Sequence, residues 1–351
     1  MTRTHIIVIG AGPIGLELAV ALKQLGVDYI HLEANQIGHT ISWFPRQMRF
    51  FSSPQRIAIA GVPLNTPYQE KATREQYLAY LRNIVDQFDL DVHTYERVTS
   101  ISRQNGHFTV QSTRGGEQHT YEAPYVVLAI GDLHRPRMLN IEGETLGHVS
   151  HFFNEPHPYF RKHLLIAGGK NSAIEAAIRC QNAGAHVSIS YRQAQLNTDH
   201  VKYWLMPEIE MLIKTGKITF YPETVPAKIS NRHVTLAPSN KVNGAAAIDV
   251  DADFVLLLVG YEMDFSLLEQ AGVQLTGENR RPQCDLKTMQ TSVPGLFVAG
   301  TAAAGTQLRF HLFIENCHPH IDKIVRAITG KAPPFSASDQ THSGKYDLPE
   351  S

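Results

Sequence analysis

Two glycine-rich turns in this chain are built to hold pyrophosphate. Gly10-Ala11-Gly12-Pro13-Ile14-Gly15 follows the apolar run His5-Ile6-Ile7-Val8-Ile9, and about 160 residues on Gly168-Gly169-Lys170-Asn171-Ser172-Ala173 follows His163-Leu164-Leu165-Ile166-Ala167. A buried strand, a tight glycine turn and a helix start leave unpaired amides and the positive end of a helix dipole facing outward, which favours an anion. Two such turns imply two dinucleotides. The natural pair is a flavin and a nicotinamide, FAD and NADPH.

Residues around each turn fit those roles. Glu33 ends the second expected strand about twenty residues past the first turn, where an acid accepts hydrogen bonds from an adenosine ribose. After the second turn the equivalent strand ends Ser190-Tyr191-Arg192, a cation with no acid. A guanidinium there suits the 2′-phosphate of NADPH. Lys170 either meets a phosphate as a point charge or points into solvent. The apolar runs ending at Gly131, Gly260 and Gly300 read as strands whose glycine ends let backbone approach a cofactor. The candidate flavin set around the first turn is Gly10, Gly12, Pro13, Ile14, Gly15, Glu33, Ala34, Val98, Ala129, Gly131 and Gly300. The candidate NADPH set is Gly168, Gly169, Lys170, Asn171, Ser172, Arg192 and Gly260. His148 and His151, or His318 and His320, lack partner ligands at metal spacing, so no metal is expected.

The elements that must position these residues alternate strand and helix, an α/β class of two Rossmann-like domains. Helices are expected over 13–25, 73–88 (opened by the capping-box pattern Thr73-Arg74-Glu75-Gln76) and 172–181, with a hairpin turning at Asn105-Gly106 and a last helix running from Gly300 to about Ile328. Residues 1–160 and 286–330 read as a discontinuous FAD domain, 161–285 as an inserted NADPH domain and 331–351 as a flexible tail. The 351 residues suffice for two cores, and 43% hydrophobic with 19% charged composition reads as globular. A net charge of -1 gives no footprint for nucleic acid or membrane, and the longest apolar run, 254–259, is strand length. With no leader-like segment before the first strand, the expected location is cytoplasmic. Cys180, Cys284 and Cys317 are too few and scattered for a disulfide framework, and no C-x-x-C pair occurs.

Phe50-Phe51-Ser52-Ser53, the stretch from His151 to Phe160, Gly168-Gly169-Lys170-Asn171-Ser172, Phe313-Ile314-Glu315-Asn316 and the closing Gly-Leu-Phe-Val-Ala-Gly strand together resemble the bacillithiol-disulfide reductase family, within the thioredoxin-reductase-like flavoproteins. The resemblance implies FAD in the first domain, NADPH in the second, and a homo-oligomer that reduces a low-molecular-weight disulfide. It also places Trp43 and residues 50–54 where the flavin is wrapped, as shield or as core. Thr301 stands where thioredoxin reductases carry an aspartate beside the flavin, with the following helix aimed at the ring. Two positions depart from the pattern. The missing C-x-x-C argues against thioredoxin as substrate. Ile14 replaces the family's cysteine between the proline and the last glycine of the first turn. Cys317, early in the last helix, is the thiol expected nearest the flavin, where a helix N-terminus lowers a thiol pKa, although an inert buried role competes. The leading function is thus an FAD-dependent NADPH oxidoreductase acting on a low-molecular-weight disulfide or other small acceptor. A flavin monooxygenase and a non-catalytic redox sensor are the alternatives.

Overall fold

The computed structural model describes residues 1–196, 201–240, 246–307 and 311–335. The principal elements of the chain begin with β1 (Ile6–Ile9), α1 (Pro13–Gln24), β2 (Tyr29–Leu32), a single helical turn at Pro54–Ile57, α2 (Arg74–Gln87) and β3 (Val92–His93). Strands β4 (Glu96–Gln104), β5 (His107–Arg114), β6 (Glu117–Ala123) and β7 (Tyr125–Leu128) follow. Then come β8 (Val149–Ser150), β9 (His163–Ala167), α3 (Asn171–Asn182), β10 (His186–Tyr191), α4 (Met206–Lys214) and β11 (Ile218–Pro222). The chain continues through β12 (Thr224–Ile229), β13 (His233–Pro238), β14 (Ile248–Asp251) and β15 (Phe254–Leu257), and closes with β16 (Leu296–Val298) and α5 (Ile314–Thr329).

It forms two compact units, one inserted in the other. In the first, the parallel sheet runs β16-β7-β1-β2-β3. All four residues of β1 are buried, as expected of a central parallel strand covered on both faces. Pro13 presets the first turn of α1, and Gly26 turns the chain away at φ +68°. Thr73 caps α2 as expected: its hydroxyl accepts from the Gln76 amide, and the Gln76 side chain accepts from the Thr73 amide. Asn105 and Gly106 both take positive φ in the β4–β5 hairpin. The second unit repeats the plan with a parallel sheet β8-β15-β9-β10-β11 and a three-stranded antiparallel sheet β12-β13-β14.

Three expectations are corrected. Apart from Trp43–Arg46, which groups with the second unit, the units exchange at 135/136 and 260/261 rather than at 160/161 and 285/286. The reason is pairing and packing: β8 joins the second sheet through β15, while Met263, Phe265 and Leu268 enter the first core. The last helix does not run from Gly300. A short 3-10 turn, Gly300–Ala304, ends at Gly305 (φ +67°), where a β-carbon would lie 2.2 Å from the Asn279 carbonyl oxygen, and α5 starts only at Ile314. The expected tail begins later than residue 331, because Phe335 packs on the first core; residues 336–351 lie outside the described residues. Among the described residues no helix is long and apolar enough to cross a membrane.

Candidate functional site

Three strands of the first sheet end side by side. Ile9 of β1 is in register with Leu32 of β2 and Leu128 of β7, so Gly10, Glu33 and Ala129 leave the sheet together. The glycines then divide the work. A β-carbon at Gly10 would lie 2.4 Å from the Ala129 carbonyl oxygen, and one at Gly15 would lie 1.9 Å from the Gly10 carbonyl oxygen. Both positions therefore permit close strand–helix packing. At Gly12 nothing lies within 4 Å of that position, leaving open space in front of the first α1 amides. This is the division a pyrophosphate cradle requires.

Glu33 is buried beside this cradle. Its Oε2 accepts from the Ala11 amide (2.7 Å) and its Oε1 from the Asn35 amide (2.8 Å), so the acid is fixed at the strand end with Ala34 beside it. Val98 lies two residues beyond Glu96, whose amide bonds the Glu33 carbonyl, and is buried in the same core. Gly131 and Gly300 each face another member of the flavin set. A β-carbon at Gly131 would lie 3.9 Å from Thr301 Oγ1, and one at Gly300 would lie 3.5 Å from the Ile14 side chain. Thr301 bonds the Asp132 carboxyl, which also accepts from Gln307 Nε2 (3.0 Å). Burial raises the Asp132 pKa against those two hydrogen bonds.

Trp43 groups with the second unit and lies edge-to-face on Phe152 at 5.5 Å. Cys317 is 0% exposed, and burial pushes its thiol well above the ordinary value, the opposite of the activation expected from its place in α5. Burial likewise pushes Cys180 up to about 12, and it raises Cys284. Burial thus shifts all three thiols upward.

The second turn repeats the first with changed chemistry. Ala167 is in register with Ser190 and Leu257, so Gly168 leaves its strand beside Tyr191, the last residue of β10. A β-carbon at Gly168 (φ +137°) would lie 2.5 Å from the Leu258 carbonyl oxygen. Lys170 caps α3 in an extended conformation, Ser172 is exposed, and Asn171 Oδ1 accepts from the Lys202 amide at 2.6 Å. Arg192 is exposed next to the turn, its carbonyl accepting from Ser239 Oγ (2.8 Å), and Gly260 (φ +107°) has open space at its α-carbon.

Two contributors have weak sequence signals. His31 is fully buried and donates from Nε2 to the Gly10 carbonyl (2.9 Å), holding the turn; burial pushes its pKa down to about 4, so the ring is neutral. A lone polar residue inside the apolar run Tyr29-Ile30-His31-Leu32 is its only trace. Lys202 Nζ bonds Glu175 (3.0 Å) one turn along α3 from Asn171, a clamp formed by residues 27 and 31 positions apart.

Residues 7–300 match the family described as pyridine nucleotide-disulphide oxidoreductase. The chain belongs to that family. It is 34% identical over 321 residues to the bacilliredoxin reductase Bdr of Bacillus subtilis, covering 91% of this chain and 96% of the relative. Among solved structures, the bacillithiol disulfide reductase Bdr of Bacillus cereus superposes with a TM-score of 0.87 at 33% identity, over 93% of this chain and 99% of that one. The Staphylococcus aureus Bdr gives 0.87 at 31% identity, over 94% and 99%. This family member is an FAD- and NADPH-dependent oxidoreductase. The open space at Gly12 and the fixed Glu33 fit FAD, which when bound supplies hydride acceptance and onward electron delivery.

Proposed function

We propose that this oxidoreductase uses NADPH to reduce a low-molecular-weight disulfide of the bacillithiol type, with no cysteine of its own relaying electrons. The near full-length likeness to the Bdr proteins carries this reading. The second clause rests on Ile14 in the first turn and on three thiols whose pKa values are all raised by burial. In this reading Gly10, Gly12, Ile14, Gly15, Glu33 and Thr301 hold FAD, while the Gly168–Ser172 turn and Arg192 hold NADPH. Asn171 and Lys202 keep the second turn in place. A homo-oligomer in the cytoplasm belongs to the same reading, supported by the resemblance alone.

The test is anaerobic NADPH consumption by the FAD-loaded protein with bacillithiol disulfide as acceptor. Slow but enzyme-dependent turnover is expected, since a stepwise mixed-disulfide route is missing. No consumption with any low-molecular-weight disulfide, combined with rapid oxidation by oxygen, would replace this reading with the monooxygenase.

A further inference from the structure

The two glycine turns share one plan but differ at one seat. In the first, Gly10 bonds the Leu32 carbonyl and Glu33 follows; in the second, Gly168 bonds the Ser190 carbonyl and Tyr191 follows. Tyr191 therefore occupies the place of Glu33, and Gly169 that of Ala11. Glu33 uses its seat to accept from the Ala11 amide. Tyr191 instead lays its ring across Gly169: a β-carbon at 169 would lie 2.5 Å from Cδ2 and Cε2 of the ring. Alanine, tolerated at position 11, is excluded at 169 unless the ring moves. The Tyr191 hydroxyl donates to Gln193 Oε1 at 2.9 Å, a bond that spans Arg192.

An acid at this seat accepts from ribose hydroxyls and repels a 2′-phosphate, whereas a neutral ring does neither. We propose that Tyr191 is a specificity-determining residue for the nicotinamide cofactor. Its ring, seated on Gly169, removes the ribose-binding carboxylate. Its bond to Gln193 sets the loop from which Arg192 meets the 2′-phosphate. The second half rests on the reading of Arg192 given above. Gly169 and Tyr191 act as one device, because the missing β-carbon of one makes room for the ring of the other.

The experiment measures the NADPH-to-NADH ratio of kcat/KM in the FAD-loaded protein, with calorimetric binding of 2′,5′-ADP and 5′-AMP as a readout independent of turnover. Tyr191→Glu should lower the ratio by about tenfold or more, chiefly through KM, and weaken 2′,5′-ADP relative to 5′-AMP by the same factor. Tyr191→Phe, which keeps the ring, should lower it several-fold. Gly169→Ala should lower it in the native background and have no further effect beside Tyr191→Ala. A ratio unmoved in Tyr191→Glu while Arg192→Ala collapses it overturns the proposal. A ratio unmoved in Arg192→Ala but shifted by Tyr191→Glu removes the Arg192 reading and leaves the acid-seat assignment standing. Equal losses from Gly169→Ala with and without Tyr191 would show that the two residues are not coupled.

Discussion

Ile14 stands in the first turn of α1 with its side chain against Gly300, a position where a thiol would enjoy the helix N-terminus. Ile14→Cys is therefore expected to raise bacillithiol-disulfide turnover at least about tenfold by opening a mixed-disulfide route; steady-state rates with and without the substitution decide it, and no gain would remove position 14 from the chemistry. Cys317→Ser should leave that turnover unchanged, because the thiol is buried and its pKa raised. Its cost should appear instead as about 1–3 kcal/mol of stability, from a hydroxyl placed in an apolar site. Arg192→Ala should reduce the preference for NADPH by about ten- to hundredfold, the value of one charged contact of roughly 1–3 kcal/mol. At this scale the glycines, Glu33 and Arg192 are legible because their roles follow from local chemistry at fixed spacing. Cys317 is not, because its place in a helix says nothing of what packs around it.

Among the elements, the strand–turn–helix junction separates packing from binding. Gly15→Ala would drive a β-carbon into the Gly10 carbonyl, so we expect a destabilised protein that has lost FAD, despite the roughly 1 kcal/mol that alanine ordinarily adds to a helix. Gly12→Ala meets open space at an ordinary φ of -75° and should keep thermal stability while losing flavin affinity. Flavin absorbance per protein and melting temperature, measured on both variants, distinguish the two roles; identical behaviour would refute the division. Element existence is readable from apolar runs, caps and glycine stops. The break between Gly300 and Ile314 is not, since it depends on Gly305 meeting the Asn279 backbone, a contact between residues 26 positions apart.

For the molecule as a whole, buried histidines set the response to acid. His31 and His320 are each pushed down to about 4, burial being the main cause, and the His320 ring accepts from the Gly300 amide. Both stay neutral in the fold while the unfolded chain takes up protons near pH 6.5. Stability should thus fall as pH drops from about 6.5 to 4, by on the order of 3 kcal/mol for each ring. His318 acts in the opposite sense. Burial lowers its pKa, but Glu17 at 2.7 Å and the Arg56 carbonyl outweigh that and raise it. Its contribution is complete below the unfolded value and is lost as pH rises through the folded one. Denaturant melts across pH 5 to 9 should show a shallower acid limb in His320→Gln and a flatter alkaline limb in His318→Gln; unchanged limbs would discard the assignment.

The insertion of one unit in the other and the seating of FAD and NADPH in them follow from the family resemblance, whereas local chemistry in the sequence determined the α/β class and the two nucleotide turns. Those features depend on periodicity, backbone conformation and residues within a turn or two of each other. Tertiary structure alone decided where the chain changes units, since that depends on β8 pairing with β15 across the sequence. It also decided that Trp43 packs on Phe152, that Phe335 rejoins the first core, and that Tyr191 lies on Gly169. Each of these is a contact between distant segments, fixed by which surfaces meet when apolar area is buried, and nothing in the neighbouring residues records it.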